Sequence, residues 1–189
     1  MVTMHYADFA WESASQLLAI DSPTGFTAKA ALWAKEAFEK LGFAATITEK
    51  GGVLIDLGGE NLNDGLLLAA HTDTLGGMVA QVKGNGRLRL TALGGMSPNN
   101  GEAENVRVYT REGKVYEGTF QLCNASIHVN GDYNSAKRSY DTMEVVLDED
   151  VKSAADTRNL GIEVGDIVCF DPRTRRTASG YLKSRFLDD

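Results

Sequence analysis

Leu66-Leu67-Leu68-Ala69-Ala70-His71-Thr72-Asp73-Thr74-Leu75-Gly76 decides the fold of this chain. Five apolar residues run into a histidine, an aspartate follows two positions on, and Leu75-Gly76-Gly77 breaks the element. A short continuous apolar run predicts a strand over 66–71, buried on both faces as in an α/β sheet. Ligands bind open α/β sheets at the carboxyl ends of their strands, where His71 falls. In an extended chain residues i and i+2 share a side. The Asp73 carboxylate therefore falls beside the His71 imidazole and is placed to accept its second ring N–H. His-x-Asp suits a metal ligand with its orienting carboxylate. It equally suits a strand-end histidine beside an aspartate that starts a turn, and this stretch alone leaves both open.

Upstream, residues 7–20 carry an amphipathic helical pattern that Ser22-Pro23-Thr24-Gly25 stops. A second helix is predicted over 27–41, capped by Thr27 or Thr24, with Gly42 as its terminating glycine. Residues 43–49 and 53–58 form a strand pair around the Lys50-Gly51-Gly52 turn. The first 75 residues thus read α-α-β-β-β, the start of a layered α/β domain.

Downstream the pattern changes to short strands split by glycine turns. Strands are predicted over 78–82, 87–93, 105–110, 114–123, 125–129, 143–147 and 167–170, with a short helix over 150–160. Lys83-Gly84-Asn85-Gly86 is a hairpin signal. Asn130–Tyr140 reads as a polar, mobile stretch. The whole reads as a β-rich barrel or sandwich. The fold class is therefore α/β with an inserted β-barrel. Its divisions are residues 1–75, the barrel 76–175, and a return segment 176–189.

The chain has 189 residues, 43% of them apolar, and a net charge of −7, with a pI near 5.0. This acidic balance disfavours nucleic acid and anionic membranes as partners. No apolar window is long enough to span a bilayer and no signal peptide is apparent, so the expected location is cytoplasmic. Cys123 and Cys169, without metal-type spacing, read as buried free thiols.

His71-Thr72-Asp73, a β-module straight after it, and Leu187-Asp188-Asp189 resemble, in this order, the glutamyl aminopeptidase (cellulase-like) family of metallopeptidases, which includes the tetrahedral aminopeptidases. Leu66–Val79 is similar to the family's "LLAAHMDEIGFMV". Gly52-Val53-Leu54 looks like "G-N-L", and Ser22-Pro23-Thr24-Gly25 like its "S-x-x-G" turn. Gly161–Val168 looks like "GI-x-x-GD-x-V" and Lys183–Asp189 like "GKALDDR". His128 occupies the family's "K-x-x-H" place.

The resemblance implies a partial catalytic α/β sandwich carrying a PDZ-like barrel that serves in dimerisation, so a homo-oligomer is expected. It implies an enzyme with two divalent metal ions, Zn or Co, that releases N-terminal residues from peptides. His71 would ligate one metal and Asp73 would orient it. Asp188 would bridge the two ions, with Asp189 following through a strained peptide. Thr74 stands where the family often has Glu, and Gly77 where it often has Phe; neither position carries a ligand. The family's general-base Glu and its remaining Glu, Asp and His ligands have no counterpart here, and neither His5 nor His128 matches their motifs. The expectation is an N-terminal part of a di-metal aminopeptidase, inactive alone, with weak metal binding at most. A non-catalytic assembly or peptide-binding module is the alternative, since a PDZ-like barrel can take a peptide at a strand edge. A glucanase ranks last, because no pair of carboxylates flanking a sugar cleft is apparent.

Overall fold

The computed structural model describes residues 6–61 and 63–187. It divides the chain into two units, one of Met1–Thr74 with Pro172–Asp189 and one of Leu75–Asp171.

The first unit is a thin α/β layer. Helix α1 (Tyr6–Leu18) buries none of its residues. Helix α2 (Ala28–Lys40) buries Ala30 and Ala31. Gly42, at φ +93°, ends α2 in a left-handed conformation that a side chain rarely adopts. Strands β1 (Ala44–Ile47) and β2 (Val53–Asp56) pair antiparallel, with Ala45 opposite Ile55 and Ile47 opposite Val53. This shared register puts Ala45, Ile47, Val53 and Ile55 on one face, and α2 packs against the pair. After the second unit the chain makes a small hairpin, β9 (Arg175–Arg176) with β10 (Leu182–Lys183). Arg176 donates to Asp8 at 2.9 Å and lies over the Trp11 ring, joining this hairpin to α1.

The buried strand expected over 66–71 does not form. Leu66, Leu67 and Leu68 are 86%, 80% and 73% exposed, and Ala69, Ala70 and His71 are exposed too. A strand buried on both faces needs a neighbour along each edge and a layer over each side. Among the described residues β1 and β2 pair only with each other, and no backbone–backbone hydrogen bond reaches Leu66–Ala70.

The second unit is a closed antiparallel barrel in the order β3-β4-β7-β6-β5-β8, formed by β3 (Gly76–Val82), β4 (Leu88–Leu93), β5 (Glu104–Tyr109), β6 (Val115–Leu122), β7 (Met143–Leu147) and β8 (Ile167–Phe170). Alternate residues fill its interior: Val106 and Val108 from β5, Phe120 and Leu122 from β6, Leu88 and Leu90 from β4, Val168 and Phe170 from β8. Phe120 and Phe170 meet edge to face at 5.5 Å between ring centroids. The Lys83–Gly86 turn closes β3 onto β4. Helix α3 (Ala154–Asn159) starts in a capping box between Ser153 and Asp156. Its Thr157 hydroxyl donates to the Gly86 carbonyl at 2.7 Å, which fixes α3 on that turn.

Three further expectations change. Residues 125–129 form a turn, because Val129 N–H and Asn130 N–H both donate back to the Ser126 carbonyl. The stretch read as mobile is instead tied down by one guanidinium. Arg138 donates to both carboxylate oxygens of Glu102 and to the carbonyls of Tyr133 and Ala136, and lies 4.9 Å from the Tyr133 ring centroid. Cys169 is buried but Cys123 is exposed, since it sits in the turn just past the end of β6. No helix among the described residues is long and apolar enough to cross a membrane.

Candidate metal-ligand element

His71 and Asp73 come together locally. The His71 Nδ1 lies 2.9 Å from the main-chain oxygen of Asp73 and 3.2 Å from its Oδ1. Both side chains are partly open to solvent, at 44% and 39% exposure. Two acceptors on one side of the ring make Nδ1 the protonated nitrogen in the neutral imidazole, and direct Nε2 away from Asp73.

Asp73 is itself held. Its Oδ2 accepts the Thr24 hydroxyl at 2.7 Å. The main chains run together at the same place: Thr74 N–H donates to the Ser22 carbonyl at 2.7 Å, and Thr24 N–H donates to the Thr74 carbonyl at 3.2 Å. Pro23 and Thr74 thus form a short parallel bridge. The Ser22–Gly25 turn therefore does more than stop α1: it grips the segment that follows His71. Sequence reading offered Thr24 or Thr27 as a helix cap. Thr27 occupies the cap position of α2 without a side-chain bond, and Thr24 serves Asp73 instead. Only the closeness of two segments 49 residues apart reveals that role.

The remaining sequence candidates lie elsewhere. Asp188 and Asp189 fall outside the described residues, as does His5. His128 belongs to the barrel unit, on an exposed turn. Among the described residues no three His, Cys, Asp or Glu side chains are grouped to hold a metal ion. A catalytic zinc takes about three protein ligands and keeps one open position. One imidazole does not meet that need, so no step through a metal is derived from these residues.

Two ionic clusters in the barrel are structural. Glu144 is 1% exposed and takes the Lys83 ammonium on one oxygen and the Arg87 guanidinium on the other. Burial pushes its carboxyl up, but the hydrogen bonds and charges of Lys83 and Arg87 outweigh this and hold it below the ordinary glutamate range. The hydrogen bond from Arg138 likewise holds Glu102 below that range. Both carboxylates are occupied by cations, which leaves neither as a proton acceptor in a reaction.

A helical layer with a two-stranded sheet, an inserted closed barrel and a His-x-Asp gripped by an upstream turn define the scaffold. The chain belongs to the M42 glutamyl aminopeptidase family, whose pattern it matches over residues 51–189. It is 40% identical over 178 residues to the YhfE protein of Bacillus subtilis (strain 168), covering 94% of this chain and 51% of that one. It is similar in structure to a TET aminopeptidase from the marine sediment archaeon Thaumarchaeota archaeon SCGC AB-539-E09, at a TM-score of 0.78 and 22% identity, over 93% of this chain and 48% of that one. A second similar structure is the Pyrococcus horikoshii TET1 peptidase, at a TM-score of 0.73 and 20% identity over 94% of this chain and 51% of that one. The chain spans about half the length of these relatives.

Proposed function

We propose that this chain carries the His71–Asp73 part of a two-metal aminopeptidase centre. The observation that supports it most is the geometry at His71. The ring is held through Nδ1 by Asp73, both within the stretch that matches the family, and Asp73 is held by Thr24 from upstream of it. In this reading His71, through Nε2, and Asp188 would be the residues of this chain that hold the divalent ions, Zn or Co. A metal bound there would supply Lewis acidity and hold a free peptide amino terminus. Asp73 is a positioning residue that fixes the tautomer and aim of the ring. One imidazole and one carboxylate fall short of a catalytic ligand set, and the sequence offers only His5 and His128 as further imidazoles. The chain by itself therefore binds metal weakly and hydrolyses no peptide. The P. horikoshii TET1 peptidase can assemble into a tetrahedron or a large octahedral shell. A comparable self-association of this chain would run through its barrel unit.

The test is hydrolysis of aminoacyl-p-nitroanilides with Co or Zn added, beside Co(II) titration followed by visible absorption. The chain alone is expected to show no turnover above a His71→Ala control, and a weak Co(II) spectrum that His71→Ala removes. Turnover by the chain alone that His71→Ala abolishes would overturn the half-site reading. A Co(II) spectrum indifferent to His71 would remove the ligand assignment. Light scattering that shows only monomer would end the self-association proposal.

A further inference from the structure

The barrel unit holds a cavity of about 650 Å³ between two stretches of chain, 97–102 and 134–138. Both stretches are held in place. The first contains a short 3-10 helix, Pro98–Gly101, and the Tyr140 hydroxyl donates to the Met96 carbonyl just before it at 3.0 Å. In the second, Arg138 donates to the Tyr133 and Ala136 carbonyls, and the Thr142 hydroxyl donates to the Lys137 carbonyl at 2.5 Å. The Arg138–Glu102 ion pair ties the two stretches together. The cavity is therefore formed before a ligand arrives.

Its lining selects the ligand. Apart from Ala136 every lining residue among those described is polar or charged, so a flat apolar ring finds no face to stack on. Glu102 and Arg138 cancel each other's charge. The Lys137 ammonium is left uncompensated, and its side chain and those of Ser97, Asn99 and Asn134 are exposed and engage no partner among the described residues. An uncompensated ammonium calls for an anion. A planar carboxylate is best held by the fork of an arginine, and the Arg138 fork is already spent on both oxygens of Glu102. Lysine binds phosphate as a point charge, which leaves the other phosphate oxygens to neutral donors. The two side-chain amides each donate and accept, as hydroxyl groups do, and so match a hydroxylated body. The volume suits a small molecule rather than a lone phosphate group.

We propose that this cavity binds a small phosphorylated polyol. Lys137 holds the phosphate, and Ser97, Asn99 and Asn134 share its remaining oxygens and the hydroxyls. Glu102, neutralised by Arg138, offers no base, so the site binds its ligand without reacting with it. It shares no residue with the His71–Asp73 element and needs no metal.

The test is isothermal titration calorimetry of the full chain with inositol monophosphate, inositol, inorganic phosphate and glutamate. Low ionic strength is used, because the chain's net charge of −7 opposes anions. Inositol monophosphate is expected to bind one-to-one, at least about 10-fold more tightly than the other three probes, and to shift the side-chain amide NMR signals of Asn99 and Asn134. Lys137→Met should weaken it at least about 10-fold with the barrel's circular dichroism unchanged, and Lys137→Arg should restore most of the loss. Failure of both inositol monophosphate and glycerol phosphate to saturate the chain overturns the proposal, and so does binding indifferent to Lys137→Met. Glutamate binding as tightly makes this a carboxylate site and overturns it. Inorganic phosphate binding as tightly removes the polyol.

Discussion

The two units of this chain handle apolar sequence in opposite ways. In the barrel, β5 and β6 alternate strictly, and Val106, Val108, Phe120 and Leu122 are all at most 3% exposed. In the α/β unit the buried apolar residues among those described are Ala30, Ala31 and Ala45, while Leu32, Leu54, Leu57 and Leu66–Leu68 face solvent. The difference is not one of hydrophobicity. Leu66–Ala70 is the more apolar stretch, and β5 (Glu-Asn-Val-Arg-Val-Tyr) the less. What differs is closure. Six antiparallel strands that are near in sequence satisfy one another's edges and enclose a core. A strand of α/β type depends on neighbours that its own sequence does not specify.

The largest expected effect tests whether the barrel holds itself together. Phe120 is fully buried against Phe170 and Tyr140. Phe120→Ala should cost the barrel about 3–5 kcal/mol, the loss of a buried ring plus the cavity it leaves. The two tryptophans, Trp11 and Trp33, both lie in the α/β unit, whereas Tyr109, Tyr116, Tyr133 and Tyr140 lie in the barrel. Denaturation followed by tryptophan fluorescence and by the near-ultraviolet circular dichroism of the tyrosines therefore separates the units. The dichroism midpoint should fall and the tryptophan midpoint should hold. If both fall together, the units unfold as one and the contrast between them is lost.

Gly118→Ala probes the same closure through the backbone. A Cβ there would lie 2.5 Å from the Val146 carbonyl and 3.0 Å from Val145 Cγ1, where β6 pairs with β7. A ladder carbonyl cannot step aside without breaking its strand, so about 1–3 kcal/mol of barrel stability should be lost by the same dichroism assay. A change of less than a few tenths would show that this seam yields.

How much of this was legible depended on the range of the interactions. The barrel strands follow from local alternation and glycine turns, so most were readable to within a residue or two. Residues 125–129 misled because Ala-Ser-Ile-His-Val has strand composition, while Asn124, Ser126 and Asn130 bond locally into a turn. The closeness of Asp73 to the His71 ring was readable because the pair is local. Thr24 was not, because nothing within the Ser22–Gly25 turn points 49 residues ahead. Exposure of Leu66–Ala70 was unreadable for a related reason: composition says what a strand wants, and only tertiary structure says whether it receives it.

Glu144 lets the comparison be sharpened with pH. Its buried carboxylate holds Lys83 and Arg87, and Glu144→Gln should cost the barrel about 1–2 kcal/mol, limited because both cations can turn to solvent. The folded carboxyl titrates below its unfolded value. Its contribution is therefore complete above the unfolded glutamate range and is lost as pH falls through the lowered folded value. Acid titration of the dichroism midpoint should show a steep loss in the native chain and a shallower one in Glu144→Gln. Equal slopes would place the acid sensitivity in other carboxylates.

The smallest effect is the one that discriminates best. Leu67→Lys changes a leucine in the most strand-like apolar run of the sequence. Were Leu67 packed as that run predicts, a truncation to alanine alone would cost about 2–5 kcal/mol, and a buried lysine more. At 80% exposure it gives up almost no contact. The tryptophan-fluorescence midpoint should therefore move by no more than about 0.5 kcal/mol in either direction. The same variant should also reduce any concentration-dependent light scattering, since it places a charge in an exposed apolar run. A loss of several kcal/mol would mean that Leu66–Ala70 is covered in solution by the chain itself. The α/β unit would then be a finished core, and the contrast drawn with the barrel would fail at the residue on which it most depends.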